Sequence, residues 1–225
     1  MSNQIGLFGK LPAHGDFVNR HVSSAFLSIW DEWLQCSVSG SKELLGDSWL
    51  DIYLTSSIWR FALRPGVINE HAWAGILIPS VDSVGRYFPL SLVQPFNAKT
   101  NVFALMSNNQ SWFESLEAAA LAALQNSLDA DQLSQMVSDE SASLWQHGMT
   151  PAAQCRNLGN AMVMTGGHNE AERYAALLNS QFGHQASCSI WSTGETANSP
   201  ATTVVVEGLP KPDQFVFMLD GRWNQ

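Results

Sequence analysis

His14 and Asp16 stand two apart in Gly9-Lys10-Leu11-Pro12-Ala13-His14-Gly15-Asp16-Phe17. Alternate residues of an extended segment face one side, so the pair could act as acid and base or as two metal ligands. No third ligand is apparent in the sequence. The competing reading is structural: Asp16 accepts backbone hydrogen bonds in an irregular loop, and His14 is solvated. Ser80 lies in a second stretch, Pro79-Ser80-Val81-Asp82-Ser83-Val84-Gly85-Arg86-Tyr87-Phe88-Pro89, after an apolar run. A serine nucleophile there lacks the GxSxG elbow, since its neighbours are Ile78, Pro79, Val81 and Asp82. Gly6 to Lys10 sits where a phosphate loop would. The spacing departs from GxxxxGK[ST], Leu11 replaces the metal-binding hydroxyl, and Pro12 obstructs a following helix.

Asp82 and Arg86 are four apart across Gly85. In a turn they can pair with each other, or with Lys10 and Asp16. One reading is a surface salt bridge worth roughly 0–1 kcal/mol. The other is a charged recognition patch beside Tyr87 and Phe88, since Arg among aromatics is common at the centre of interfaces. The six His are scattered, His147 among them, and none forms HExxH. Cys36, Cys155 and Cys188 are far apart and form no CxxC or Cys/His ligand pattern, which argues against a structural zinc site and a disulfide framework. Cys36, following Trp33 at helical spacing, reads as a core thiol. No metal, cofactor or catalytic residue is expected.

The chain has 225 residues, 45% hydrophobic and only 14% charged, with nine Trp. That composition supports a sizeable core and argues against disorder. The net charge is -9, with -1 in residues 1–100 and -8 in the remainder. An acidic chain without a basic cluster argues against nucleic acid and anionic membranes. The N-terminus lacks the features of a signal peptide, and no apolar run approaches the ~18 residues of a spanning helix, so a cytoplasmic protein is expected.

The elements that must position these loops are readable in outline. Ile5–Gly9 reads as a buried strand. Phe26, Ile29, Trp30, Trp33 and Leu34 form the inward stripe of a helix capped by Ser23 or Ser24 and stopped at Gly40. A short helix over Asp47–Leu54 turns Trp49, Leu50 and Tyr53 inward. Ile58–Leu63, Ala72–Ile78 and Phe88–Val93 read as strands, and their short connections favour antiparallel pairing. Trp59 and Arg60 point to opposite faces, so one of them is partly exposed. Ser111 with Glu114 marks a capping box before an Ala-rich helix, a helix spans Asp131–Val137, and Asn169 with Glu172 caps another. Cys188–Trp191 and Thr202–Val206 form a hairpin, and a short helix follows Pro212. The segment from Ser138 to Gly167 carries no clear signal. Residues 1–225 are expected to form a single α+β (or α/β) domain, a mixed or antiparallel sheet flanked by helices: motif-rich over 1–100, helical over 101–180, strands and a short helix over 185–225.

Together these segments resemble the TagF family, also called ImpM, accessory proteins of bacterial type VI secretion. The likeness rests on Gly6-Leu7-Phe8-Gly9-Lys10-Leu11-Pro12-Ala13-His14-Gly15-Asp16-Phe17, on Trp30-Asp31-Glu32-Trp33-Leu34, and on Trp49 to Ser56 running into Ile58-Trp59-Arg60-Phe61. It continues through Ala72 to Asp82 and Val84-Gly85-Arg86-Tyr87-Phe88-Pro89-Leu90. It is dense over residues 5–95 and loose beyond. Ser57 replaces an expected Pro, and Ser192 stands where a second Trp is common. The resemblance implies a non-catalytic, cytoplasmic protein that holds secretion in check after translation. It also implies a partner, a scaffold protein with a forkhead-associated domain, and action apart from the threonine-phosphorylation switch. Lys10, Asp16, Arg60, Asp82, Arg86 and Tyr87 are the expected contact patch. Two other readings stay open. One is a small-ligand or enzymatic pocket built on His14, Asp16 and Ser80; the other is a structural part of the secretion machine.

Overall fold

Apolar residues on both faces of nearly every strand require cover on both sides, and the chain supplies it. A computed structural model describes residues 4–138, 153–184, 187–196 and 200–223. Strands β1 (Gly6–Gly9), β2 (Val18–Arg20), β3 (Trp59–Leu63), β4 (Ala72–Ile78), β5 (Leu90–Phe96), β8 (Cys188–Thr193) and β9 (Thr202–Glu207) form one sheet. Its order is β2-β1-β5-β4-β3-β8-β9, and every neighbouring pair is antiparallel. Strands β6 (Ala153–Leu158) and β7 (Ala161–Gly166) make a separate two-stranded hairpin. The architecture is α+β, as the sequence predicts.

One face of the sheet carries Phe8, Trp59, Phe61, Leu63, Trp73, Leu77, Val93 and Trp191. It packs against α1 (Ser24–Leu45), α2 (Trp49–Thr55) and α7 (Pro212–Asp220). In a layer this rich in Trp most buried indole N–H groups find an acceptor. Trp30 donates to Ser91 Oγ, Trp49 to Ser41 Oγ, Trp59 to the Met218 carbonyl and Trp191 to Ser189 Oγ, all at 2.8–2.9 Å. The other face carries Leu7, Ala62, Ala74, Ile76, Leu90, Leu92 and Ile190 under α3 (Val102–Asn108), α4 (Gln110–Asn126), α5 (Ala130–Ser138) and α6 (Glu170–Gln181).

Several expectations are corrected. Helix α1 runs through Gly40 and ends at Gly46, whose N–H bonds the Lys42 carbonyl. Gly40 instead marks a close helix approach: a Cβ there would stand 2.8 Å from Pro212 Cβ of α7. Ile29 and Leu50, both expected inward, are exposed, and Cys36 faces solvent rather than the core. A 3.6-residue stripe covers only part of a helix when the cover is a sheet rather than a bundle, so its margins reach water. Helix α4 starts at Gln110 after Asn109, not at a Ser111 box. Strand β5 begins at Leu90 and continues to Phe96 through Pro95. That proline is tolerated because β1 pairs with β5 no further than Val93. The sequence reading missed β2, α3 and the β6–β7 hairpin, whose strands are short, weakly alternating or polar. His147 lies outside the described residues.

Candidate functional site

The loop after β1 and the loop between β4 and β5 interlock at one end of the sheet. Gly9 allows it. Its φ is +137°, and a Cβ there would stand 2.1 Å from the Pro89 carbonyl oxygen. Ser80 Oγ donates to the Lys10 carbonyl at 2.6 Å, and Ser83 N–H to the His14 carbonyl at 2.9 Å. From below, the Tyr53 hydroxyl donates to the Ser80 carbonyl and accepts from the Ser80 N–H, both at 3.0 Å. Burial pushes the Tyr53 phenol well above its ordinary value, so it stays a neutral donor.

Asp82 is the centre of this lock. Its side chain is fully buried, not the surface salt-bridge partner that the sequence allows. Oδ1 accepts from the Val84 and Arg86 N–H groups at 3.1 and 2.8 Å, and Oδ2 accepts from Arg86 Nε at 2.7 Å and from Lys10 Nζ. Burial alone would raise the carboxyl's pKa. The Lys10 ammonium, the Arg86 backbone and guanidinium, and the Val84 N–H overrule it and hold the group well below the usual carboxylate range. Lys10 is itself buried, with its ammonium 4.5 Å from the centre of the Phe17 ring. A buried carboxylate with all its acceptor sites filled and two cations beside it is a rigid device.

Arg86 links this interior to solvent. Its side chain is 56% exposed, yet Nε holds Asp82 and Nη2 donates to the Gly15 carbonyl. Beside it lie Phe17, 44% exposed, and Val84, 66% exposed. Phe17 stacks on Phe8 and meets Phe88 edge-on, with centroids 5.8 and 4.9 Å apart. The outward product of the lock is a face of one guanidinium and two apolar side chains on a stiff base.

The expected patch is therefore divided. Lys10 and Asp82 are inside; Asp16 is exposed and accepts from the Phe17 N–H at 2.8 Å. Tyr87 is half-buried, edge-on to Trp49 and Tyr53. Arg60 is elsewhere, as a bidentate partner of Glu117 on α4 at 2.6 and 2.9 Å. It lies on the opposite sheet face from Trp59, which is buried. That carboxylate raises the Arg60 pKa above its ordinary value. The reactive trio is not assembled either. His14 is half-buried, and its Nε2 accepts the Ala130 N–H at the start of α5 at 3.0 Å, while Ser80 is committed to Lys10. No group of three or more His, Cys, Asp or Glu among the described residues could hold a metal ion. Phe17 and Val84 lie outside the expected patch; their signal in the sequence is an apolar side chain inside a loop of Gly, Pro and charge.

The family model for the TagF N-terminal domain, type VI secretion system-associated, matches residues 6–139. The chain belongs to the TagF family. Both TagF loops lie within the match. The crystal structure of PA0076 from Pseudomonas aeruginosa PAO1 resembles the whole fold, with a TM-score of 0.79 and 32% identity over 99% of this chain and 96% of that one. No curated protein matches the sequence. The TagF match ends before β8, β9 and α7, which the likeness to PA0076 includes. No helix among the described residues is long and apolar enough to cross a membrane.

Proposed function

We propose that this TagF-family chain restrains type VI secretion after translation, without catalysis, by docking on a forkhead-associated scaffold protein of the apparatus in the cytoplasm. The docking face is the solvent side of the lock: Phe17, Val84 and Arg86, with Asp16 and the edge of Tyr87 at its rim. Lys10 and Asp82 set its shape from inside, and Arg60 serves the sheet–helix contact. The observation that carries this reading is the held guanidinium. Arg86 is half-exposed while two of its nitrogens are fixed by Asp82 and Gly15, so it can meet a partner without first being ordered. An Arg beside an exposed aromatic has the composition of an interface centre, and Val84 adds apolar area next to it.

Calorimetric titration into the purified scaffold of the same bacterium tests it. Val84→Glu projects from a turn into solvent and should raise the Kd at least ~10-fold while leaving the melting temperature within ~1 °C. Arg86→Ala should weaken binding similarly. Leu121→Glu, at an exposed position on α4, should change nothing. Binding that survives both loop variants would remove the face; absence of binding by the wild type would remove the partner.

A further inference from the structure

The sheet ends differently on its two sides. Strand β2 is overlaid by α5, and Arg20 Nε on β2 pairs with Asp131 Oδ1 of α5 at 2.6 Å. Strand β9 has no strand or helix paired to its outer edge among the described residues. The hydrogen-bond phase follows from the register. Gly208 N–H bonds the Ser187 carbonyl at 2.8 Å, and β8 and β9 pair in step from Cys188–Glu207 to Thr193–Thr202. Alternation then turns Thr202, Val204 and Val206 toward β8. Thr203, Val205 and Glu207 therefore direct their N–H and C=O groups outward. The β3–β8 register with the Arg64 N–H to Cys188 carbonyl bond gives the same phase from the other side.

This edge lacks three common guards: lysine, proline and a bulge. Thr-Thr-Val-Val-Val-Glu contains no Lys and no Pro, and its register with β8 is unbroken by a bulge. Val204 and Val205 pack on opposite layers and are each only half-covered, because the sheet stops beside them.

We propose that β9 pairs antiparallel with β9 of a second copy of this chain, about a two-fold axis at Val205. Val205 then faces Val205 of the partner subunit, and Thr203 faces Glu207 of the partner subunit. Three outward residues on each strand exchange about six backbone hydrogen bonds. The side chains choose this register. An axis at Glu207 would set the two carboxylates opposite each other, and an axis at Thr203 would leave the valines without valine neighbours. An axis at Val205 places a hydroxyl against each carboxylate and continues both apolar layers across the seam. Because the two-fold pairing uses the same edge of both copies, the association closes at two copies instead of growing into a filament. The proposal is independent of the docking face, which lies toward the opposite edge.

Light scattering on the full chain under reducing conditions, from 1 to 100 µM, tests it. The wild type should reach twice 24.7 kDa. Val205→Pro removes an N–H that β8 does not use, so it should give a monomer with an unchanged circular dichroism spectrum. Should that variant misfold, the exposed Thr203 carries the test. Thr203→Glu faces the partner's Glu207 and should raise the dimer Kd at least ~10-fold, whereas Thr203→Lys should lower it. A wild type that stays monomeric overturns the proposal. So does a dimer indifferent to the Thr203 charge.

Discussion

Asp82 shows how one carboxylate turns two loops into one object. Both oxygens are used, by two backbone N–H groups and two cations, and no water is needed to satisfy them. The folded pKa lies below that of the unfolded chain. The stabilisation from ionised Asp82 is thus fully present above about pH 3.9, the unfolded value, and drains away as the pH falls below it. Between pH 6 and pH 2.5 the melting temperature of Asp82→Asn should converge on that of the wild type, the gap narrowing only below about pH 4. A gap constant with pH would mean that the carboxylate is not the stabilising species. Asp82 and Arg86 were visible as a pair, but a spacing of four is the same for a surface bridge and a buried one. Lys10, 72 residues away, decides between them, because a second cation makes burial of the carboxylate tolerable.

The elements were largely legible. Strand β4 falls where alternating and apolar runs predict it, at Ala72–Ile78. The aromatic stripe of α1 finds its sheet through Phe26, Trp30 and Leu34, all fully buried. The failures have physical causes. Gly40 read as a stop because glycine favours helix ends, while here it makes room for another helix. Substitution should expose that difference. Gly40→Val should keep a helical far-ultraviolet spectrum but lower the melting temperature by ~5 °C or more, because α7 is forced away from α1. Gly9→Ala should be worse, since the new Cβ meets backbone and the φ is unfavourable. A melting temperature unmoved in Gly40→Val would show that α1 and α7 are not tightly packed. The hairpin β6–β7 was illegible for another reason: much of it is exposed, so its pattern carries no core signal.

Across the whole molecule the sheet ties the two ends of the chain together. Trp191 of β8 sits among Trp30, Trp33 and Phe61, so the aromatic layer is finished by a strand far along the chain from the motifs. The family match stops at residue 139, but the layer does not. A fragment of residues 1–139 should therefore lack a cooperative thermal transition and bind a hydrophobic dye, with Trp30 and Phe61 uncovered. A sharp transition in that fragment would show that it is a domain on its own. Residue types and local spacing by themselves determined most of the strand and helix segments and the two loops, and the motifs carried the resemblance to the TagF family, because periodicity, Gly/Pro punctuation and motif order are properties of neighbours along the chain. Only the tertiary structure decided that Lys10 and Asp82 are interior, that Arg60 belongs to Glu117, and that Phe17, Val84 and Arg86 share the surface. Burial and ion pairing depend on which distant segments meet, and no local pattern encodes that meeting.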